Sequence, residues 1–127
     1  KGVPPELVQR EILAGRSICL NFPEYNFYSS AIVGGSLPQA VGVAMTGKDV
    51  WAFVGDMGSQ TGIFSECLRF SDRNALPINF VIEDNGFSVM TPTSEVWSAI
   101  GKDVWAFAHY KYKNTYGHQG AGKNVIF

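Results

Sequence analysis

The spacing of apolar positions changes from one stretch of the chain to the next, and each change marks an element. "PPELVQREILAG" predicts a short helix: two prolines open it, Glu6 stands in its first turn and Gly15 suits its end. "RSICLNFPEYNFYSS" has no helical period and is expected to be a loop. "SLPQAVGVAMTG" follows Gly34 and Gly35 and predicts a second helix, with Ser36 as cap, Pro38 in the first turn and Gly47 as stop. "DVWAF" is a near-continuous apolar run of strand length, the pattern of a strand buried on both faces. Then Ile63, Phe64, Cys67 and Leu68 recur at helical spacing, with Arg69, Asp72 and Arg73 largely off that stripe. Pro77 ends this helix, and "INFVI" predicts a second buried strand. The tail "HYKYKNTYGHQGAGKNVIF" alternates and then turns glycine-rich, which predicts a strand followed by a loop.

Strand, glycine-bearing turn, helix, strand is a βαβ unit, so the strands near residues 49–54 and 78–83 should be adjacent and parallel, with a right-handed crossover. The expected fold class is α/β: one domain over residues 1–127, expected to be an incomplete one, built on a mainly parallel sheet with helices on both faces. The heptapeptide "GKDVWAF" occurs at residues 47–53 and again at 101–107. One seven-residue match is too short to define a repeat architecture and reads as two similar strand entries.

Composition narrows the function. The chain has 127 residues, 46% apolar and 17% charged, with a formal net charge of −1. That is enough for one domain with a core, and nothing in it suggests a surface for polyanions. No basic run interleaved with aromatics points to nucleic acid, and no apolar stretch approaches the length of a membrane span. Cys19 and Cys67 lack CxxC spacing, and with only His109 and His118 as histidines the sequence offers no Cys/His cluster of zinc-site spacing. Two such thiols fit a reducing compartment, the cytoplasm or, in a eukaryote, the mitochondrial matrix.

The chemistry concentrates in "VGDMGSQTGIF", residues 54–64. In a parallel βαβ unit both strands end on one edge of the sheet, and ligands of open α/β sheets bind outside that edge. Asp56 follows the first strand and Asn85, in "EDNGF", follows the second, so a carboxylate and a carboxamide should meet there, at an edge outside the core. Hard oxygen donors supplemented by phosphate oxygens and water are how Mg²⁺ is usually held. The glycine-rich turn and the helix start near Gly62 offer backbone N–H groups to an anion and let backbone approach it. Together these make a site for a metal diphosphate. Taken singly, Asp after a strand is also a helix N-cap and Asn-Gly is also a turn.

The stretch from "GDMGSQTGIF" to "EDNGFSV" resembles the thiamine-diphosphate motif, Gly-Asp-Gly to an Asn roughly thirty residues on. It is most similar to the variant in the alpha subunits of 2-oxo-acid dehydrogenases, with Gly62, Glu66, Leu76 and Pro77 at matching positions. Upstream, "NFYSSAIVGGSLPQAVGVAM" is similar to that family's Asn-Phe-Tyr…Ile-Val-Gly stretch. The resemblance covers about residues 5–90 well and the tail loosely. It implies the pyrophosphate module of a thiamine-diphosphate-binding fold, oxidative decarboxylation of a 2-oxo acid, and the cofactors thiamine diphosphate and Mg²⁺. It implies Asp56, the side chain of Asn85 and the backbone carbonyl of Phe87 as metal ligands. Met57 and Gly58 would lie against the diphosphate, and Ala31 and Val33 would touch the cofactor through their backbone. His118, in "YGH", would be the catalytic histidine, although Gln119 stands where the family has Ser. It also implies a beta-type, pyrimidine-binding partner in a homo- or hetero-oligomer, which supplies the cofactor-activating glutamate. Met57 replaces the second glycine of Gly-Asp-Gly, which would be strained were φ positive there. The family's diphosphate-holding Tyr-Arg pair is expected before Lys1, and the Asn85–Gly117 stretch is shorter than in a full alpha subunit.

Other readings remain open. "GGSLPQAVGVAM" also resembles transketolase-like enzymes, and a non-catalytic scaffold of the same fold would share the pattern. "GHQGAGKN" approaches a phosphate-loop motif but ends in Asn124 where Ser or Thr would meet magnesium, with only "VIF" after it.

Overall fold

The structure is a computed structural model describing residues 1–16, 18–97 and 108–113. In chain order it comprises α1 (Pro5–Leu13), β1 (Asn21–Phe22), a 3₁₀ turn (Pro23–Tyr25), β2 (Phe27–Tyr28), α2 (Ser36–Ala44), β3 (Val50–Gly55), α3 (Asp56–Ser59), α4 (Gly62–Arg73), β4 (Ile78–Asp84), β5 (Phe87–Ser88), β6 (Thr91–Pro92), α5 (Thr93–Val96) and β7 (Ala108–Lys111). The segment expected to be a loop is a small hairpin. β1 and β2 pair antiparallel around the 3₁₀ turn, and Asn26 takes the left-handed conformation (φ 50°) that closes it. Pairs of residues are too short a run for alternation to announce a strand.

The central sheet is parallel, in the order β3-β4-β7. β3 and β4 run in register from Val50 beside Ile78 to Gly55 beside Glu83, and β7 adds Ala108–Lys111 along Val81–Asp84. The α/β architecture and the adjacent parallel strands match the expectation from the sequence.

Alternation along β3 sends Ala52 and Val54 to one face, where Leu37 and Val41 of α2, Phe64 and Cys67 of α4, and Phe80 and Ile82 of β4 close the core. Phe64 meets Phe80 edge-on, centroids 5.7 Å apart at 80°, the geometry favoured by opposed ring quadrupoles. Burial pushes the Cys67 thiol above its ordinary pKa, with the charge of Glu66 adding to the shift, so this cysteine is a packing group and a poor nucleophile. Trp51 and Phe53 lie on the opposite face and are about half exposed, at 48% and 56%. The expected burial on both faces therefore holds for β4, where Phe80, Val81 and Ile82 are all buried, but not for β3. Periodicity alone does not distinguish a strand covered twice from one covered once when both faces are apolar.

Both predicted glycine stops are present: Gly15 and Gly47 follow α1 and α2 with φ near +80°. Ser36 is the first helical residue, not the cap; Gly35 precedes it and no side chain caps α2. Val89 at the β5–β6 turn is a β-branched residue at φ 56°, with its side chain half exposed. The left-handed region costs non-glycine residues about 1–2 kcal/mol, and asparagine tolerates it better. Val89→Asn is therefore expected to raise the urea midpoint, by about 0.5–1 kcal/mol of stability; an unchanged or lower midpoint would show that this turn stores no strain.

Candidate functional site

β3 and β4 end side by side, and four chain segments converge beyond them. Asp56 leaves β3 directly and opens α3, which packs against β3, β4 and β5. Its side chain is 1% exposed, so the residue expected at an edge outside the core is at the edge but buried. One carboxylate oxygen, Oδ2, accepts a hydrogen bond from the Thr93 hydroxyl, and its backbone carbonyl accepts one from Ser59 Oγ at 2.7 Å. Met57 follows within the helix and is not among the residues with positive φ, so replacing the glycine of the motif introduces no backbone strain here.

Gly58 is buried, and a Cβ on it would come within 2.8 Å of Val54 Cγ2 and 3.7 Å of Val33 Cγ1. The glycine lets the turn settle on the end of β3, and it also shows that Val33 lies over this turn. Gly34 repeats the theme: φ is +73° and a Cβ would lie 2.5 Å from Ile63 Cγ2. The segment Ala31–Gly34 is thus laid across the α3–α4 turn, with Ala31 and Val33 exposed. Gly34→Ala combines a left-handed penalty with a clash and should cost about 2 kcal/mol or more, read as a lower urea midpoint. Unchanged stability would mean that residues 31–34 do not pack as described.

Asn85 follows β4 and is half-buried. Its Oδ1 accepts the Phe87 N–H at 2.9 Å, and its Nδ2 donates to the Tyr112 hydroxyl at 3.4 Å. Asp84 beside it is buried; it accepts the Gly86 N–H at 3.0 Å, lies 3.0 Å from His109 Nε2 and is 3.7 Å from Lys111 Nζ. Phe87 starts β5, and the β5–β6 hairpin returns the chain so that Thr93 donates its N–H to Gly86 O at 2.9 Å and its hydroxyl to Asp56.

The sequence reading placed Asp56 and Asn85 at one edge and the resemblance added Gly58 and Phe87; all four follow the ends of β3 and β4. It missed Thr93 and the Asp84–His109 pair. "TPTS" carried the signal of a local helix start but none of a contact 37 residues back. His118 lies outside the described residues. Among the described residues no cluster of three or more His, Cys, Asp or Glu side chains is arranged for a metal. The set that the resemblance implies, the Asp56 carboxylate, the Asn85 carboxamide and the Phe87 backbone carbonyl, is of the hard-oxygen type that suits Mg²⁺ when phosphate oxygens and water complete its shell.

Residues 18–121 match the sequence profile of the thiamine pyrophosphate enzymes, C-terminal TPP-binding domain. The chain belongs to this family. Its domain is the TPP-binding domain, and the matched region includes each segment of the site. The chain is 35% identical over 81 residues to the 2-oxoisovalerate dehydrogenase subunit alpha 2, mitochondrial, of Arabidopsis thaliana, covering 59% of this chain and 17% of the relative. It is 36% identical over 74 residues to the pyruvate dehydrogenase E1 component subunit alpha of Staphylococcus aureus, covering 54% and 20%. The chain thus spans at most about a fifth of these relatives' length. It is a TPP-binding domain related to the alpha subunits of 2-oxo-acid dehydrogenases.

Proposed function

We propose that this TPP-binding domain holds its cofactor through Mg²⁺ and acts as the pyrophosphate module of a 2-oxo-acid dehydrogenase-type enzyme. The observation that carries this reading is the tie through Thr93 between Asp56 and the Asn85–Phe87 turn, at the ends of adjacent parallel strands. Asp56, Asn85 Oδ1 and the carbonyl of Phe87 would hold the metal, and the metal would hold the diphosphate. The turn at Met57 and Gly58 would lie beside the diphosphate, with the backbone of Ala31 and Val33 against the rest of the cofactor. When bound, thiamine diphosphate supplies the nucleophilic carbon that decarboxylation of a 2-oxo acid needs. This chain's share is to bind and orient it. His118 would serve as the catalytic acid–base group.

The complementary half of the site would come from a beta-type module. Ile32, Val33, Phe87, Val89 and Met90 border the site as exposed apolar side chains, a surface that supports docking there. A thiol-reducing cytoplasm or mitochondrial matrix suits Cys19 and Cys67, both free. Calorimetric titration of the chain with thiamine diphosphate, with Mg²⁺ and with excess chelator, tests the reading. Saturable binding that requires Mg²⁺ is expected; a scaffold of the same fold would bind in neither condition, and metal-independent binding would remove Mg²⁺ from the proposal.

A further inference from the structure

We propose that Thr93 is a positioning residue that sets which cation the site accepts; this rests on the magnesium-diphosphate reading above. Thr93 is 2% exposed and Asp56 is 1% exposed, so their hydrogen bond is shielded from competing water. Thr93 is held from a second direction by its own N–H, which donates to Gly86 O at 2.9 Å. Gly86 lies between Asn85 and Phe87. One residue therefore ties the turn carrying two proposed ligands to the carboxylate that is the third. The β5–β6 hairpin, Ser88 beside Thr91 and Phe87 beside Pro92, fixes the path between those two attachments.

The consequence is chemical. With Oδ2 of Asp56 held by Thr93, the carboxylate presents Oδ1 to a cation more readily than both oxygens together. Mg²⁺ is small, demands near-octahedral geometry and is suited by single oxygens; Ca²⁺ is larger and readily takes both oxygens of a carboxylate. Thr93 thus favours Mg²⁺ twice, by fixing the carboxylate's orientation and by competing for the oxygen that bidentate Ca²⁺ binding would also recruit. Partners hydrogen-bonded to metal ligands commonly change metal affinity about 10–100-fold when removed.

Thr93→Val replaces the hydroxyl by a methyl of similar volume, and Thr93→Ser keeps the hydroxyl. The metal is titrated calorimetrically into the full chain at fixed thiamine diphosphate, once with Mg²⁺ and once with Ca²⁺, with a thermal melt on each variant. For T93V, Mg²⁺ affinity is expected to fall about 10-fold while Ca²⁺ affinity holds or rises, so that the preference for Mg²⁺ narrows. T93S should keep the wild-type preference within about threefold, because the donor remains. Equal weakening toward both cations in T93V would reduce Thr93 to a structural role and overturn the proposal, as would unchanged affinities. A folded T93S that loses the preference overturns it independently of whether T93V folds. Wild-type chain that binds thiamine diphosphate without responding to either cation would remove the metal reading itself, an outcome distinct from an unresponsive T93V beside a responsive wild type.

Discussion

Asp56→Asn is expected to abolish magnesium-dependent binding of thiamine diphosphate while making the metal-free chain more stable. The two effects have one cause. The carboxylate is 1% exposed, and the ion pairs among the described residues engage Glu11 and Asp84, not Asp56. A buried charge held by one hydroxyl is costly; a metal would offset that cost, and without the metal it remains. Asparagine keeps an oxygen to accept the Thr93 hydrogen bond and removes the charge. The metal-free melting temperature should rise, by about 1–2 kcal/mol of stability if the penalty is typical of imperfectly satisfied buried groups. Affinity for Mg²⁺ should fall by about 100-fold or more, since outer-shell changes alone reach that range. Calorimetry and a thermal melt in chelator read both. A variant that melts lower than wild type while still binding Mg²⁺ would make Asp56 a structural cap and remove it from the site.

Much of this site was legible because its logic is topological. A glycine-bearing turn after an apolar run, a helical stripe, and a second apolar run oblige the two strand ends to be neighbours. Asp56 and Asn85 can therefore be placed together without knowing any contact. The glycines were legible for a similar reason, since Gly15 and Gly47 take the left-handed φ that helix ends favour. Contacts made by chance of packing were not legible. Nothing in "MTPTSEV" says that the hairpin it completes will fold the chain back onto Asp56. The β1–β2 hairpin was hidden for want of length, and the solvent-facing side of β3 because Trp51 and Phe53 are as apolar as the residues that face the core.

The chain by itself is expected to show no turnover of 2-oxo acids, and to contribute to turnover once a beta-type module is added. The resemblance to the dehydrogenase alpha subunits implies that the carboxylate activating thiamine diphosphate belongs to the partner. The described acidic residues of this chain leave little to replace it. Asp56 is tied to Thr93, Asp84 to His109 and Gly86, Glu11 to Arg16, and Glu83 accepts the Tyr110 hydroxyl. Glu66 and Asp72 are on α4 with their side chains exposed, and Glu6, Glu24, Asp49 and Glu95 are exposed elsewhere in the chain. A positioned acid or base is typically worth about 10²–10⁴-fold, so binding without one should leave decarboxylation near the rate of the cofactor free in solution. The assay is decarboxylation of pyruvate and of branched 2-oxo acids with Mg²⁺, thiamine diphosphate and an artificial electron acceptor. A rise of about 10²-fold or more on adding the beta-type subunit, dependent on Asp56, would support a shared site. Turnover by the chain alone would show that it carries its own activating acid, and the division of labour proposed here would be wrong.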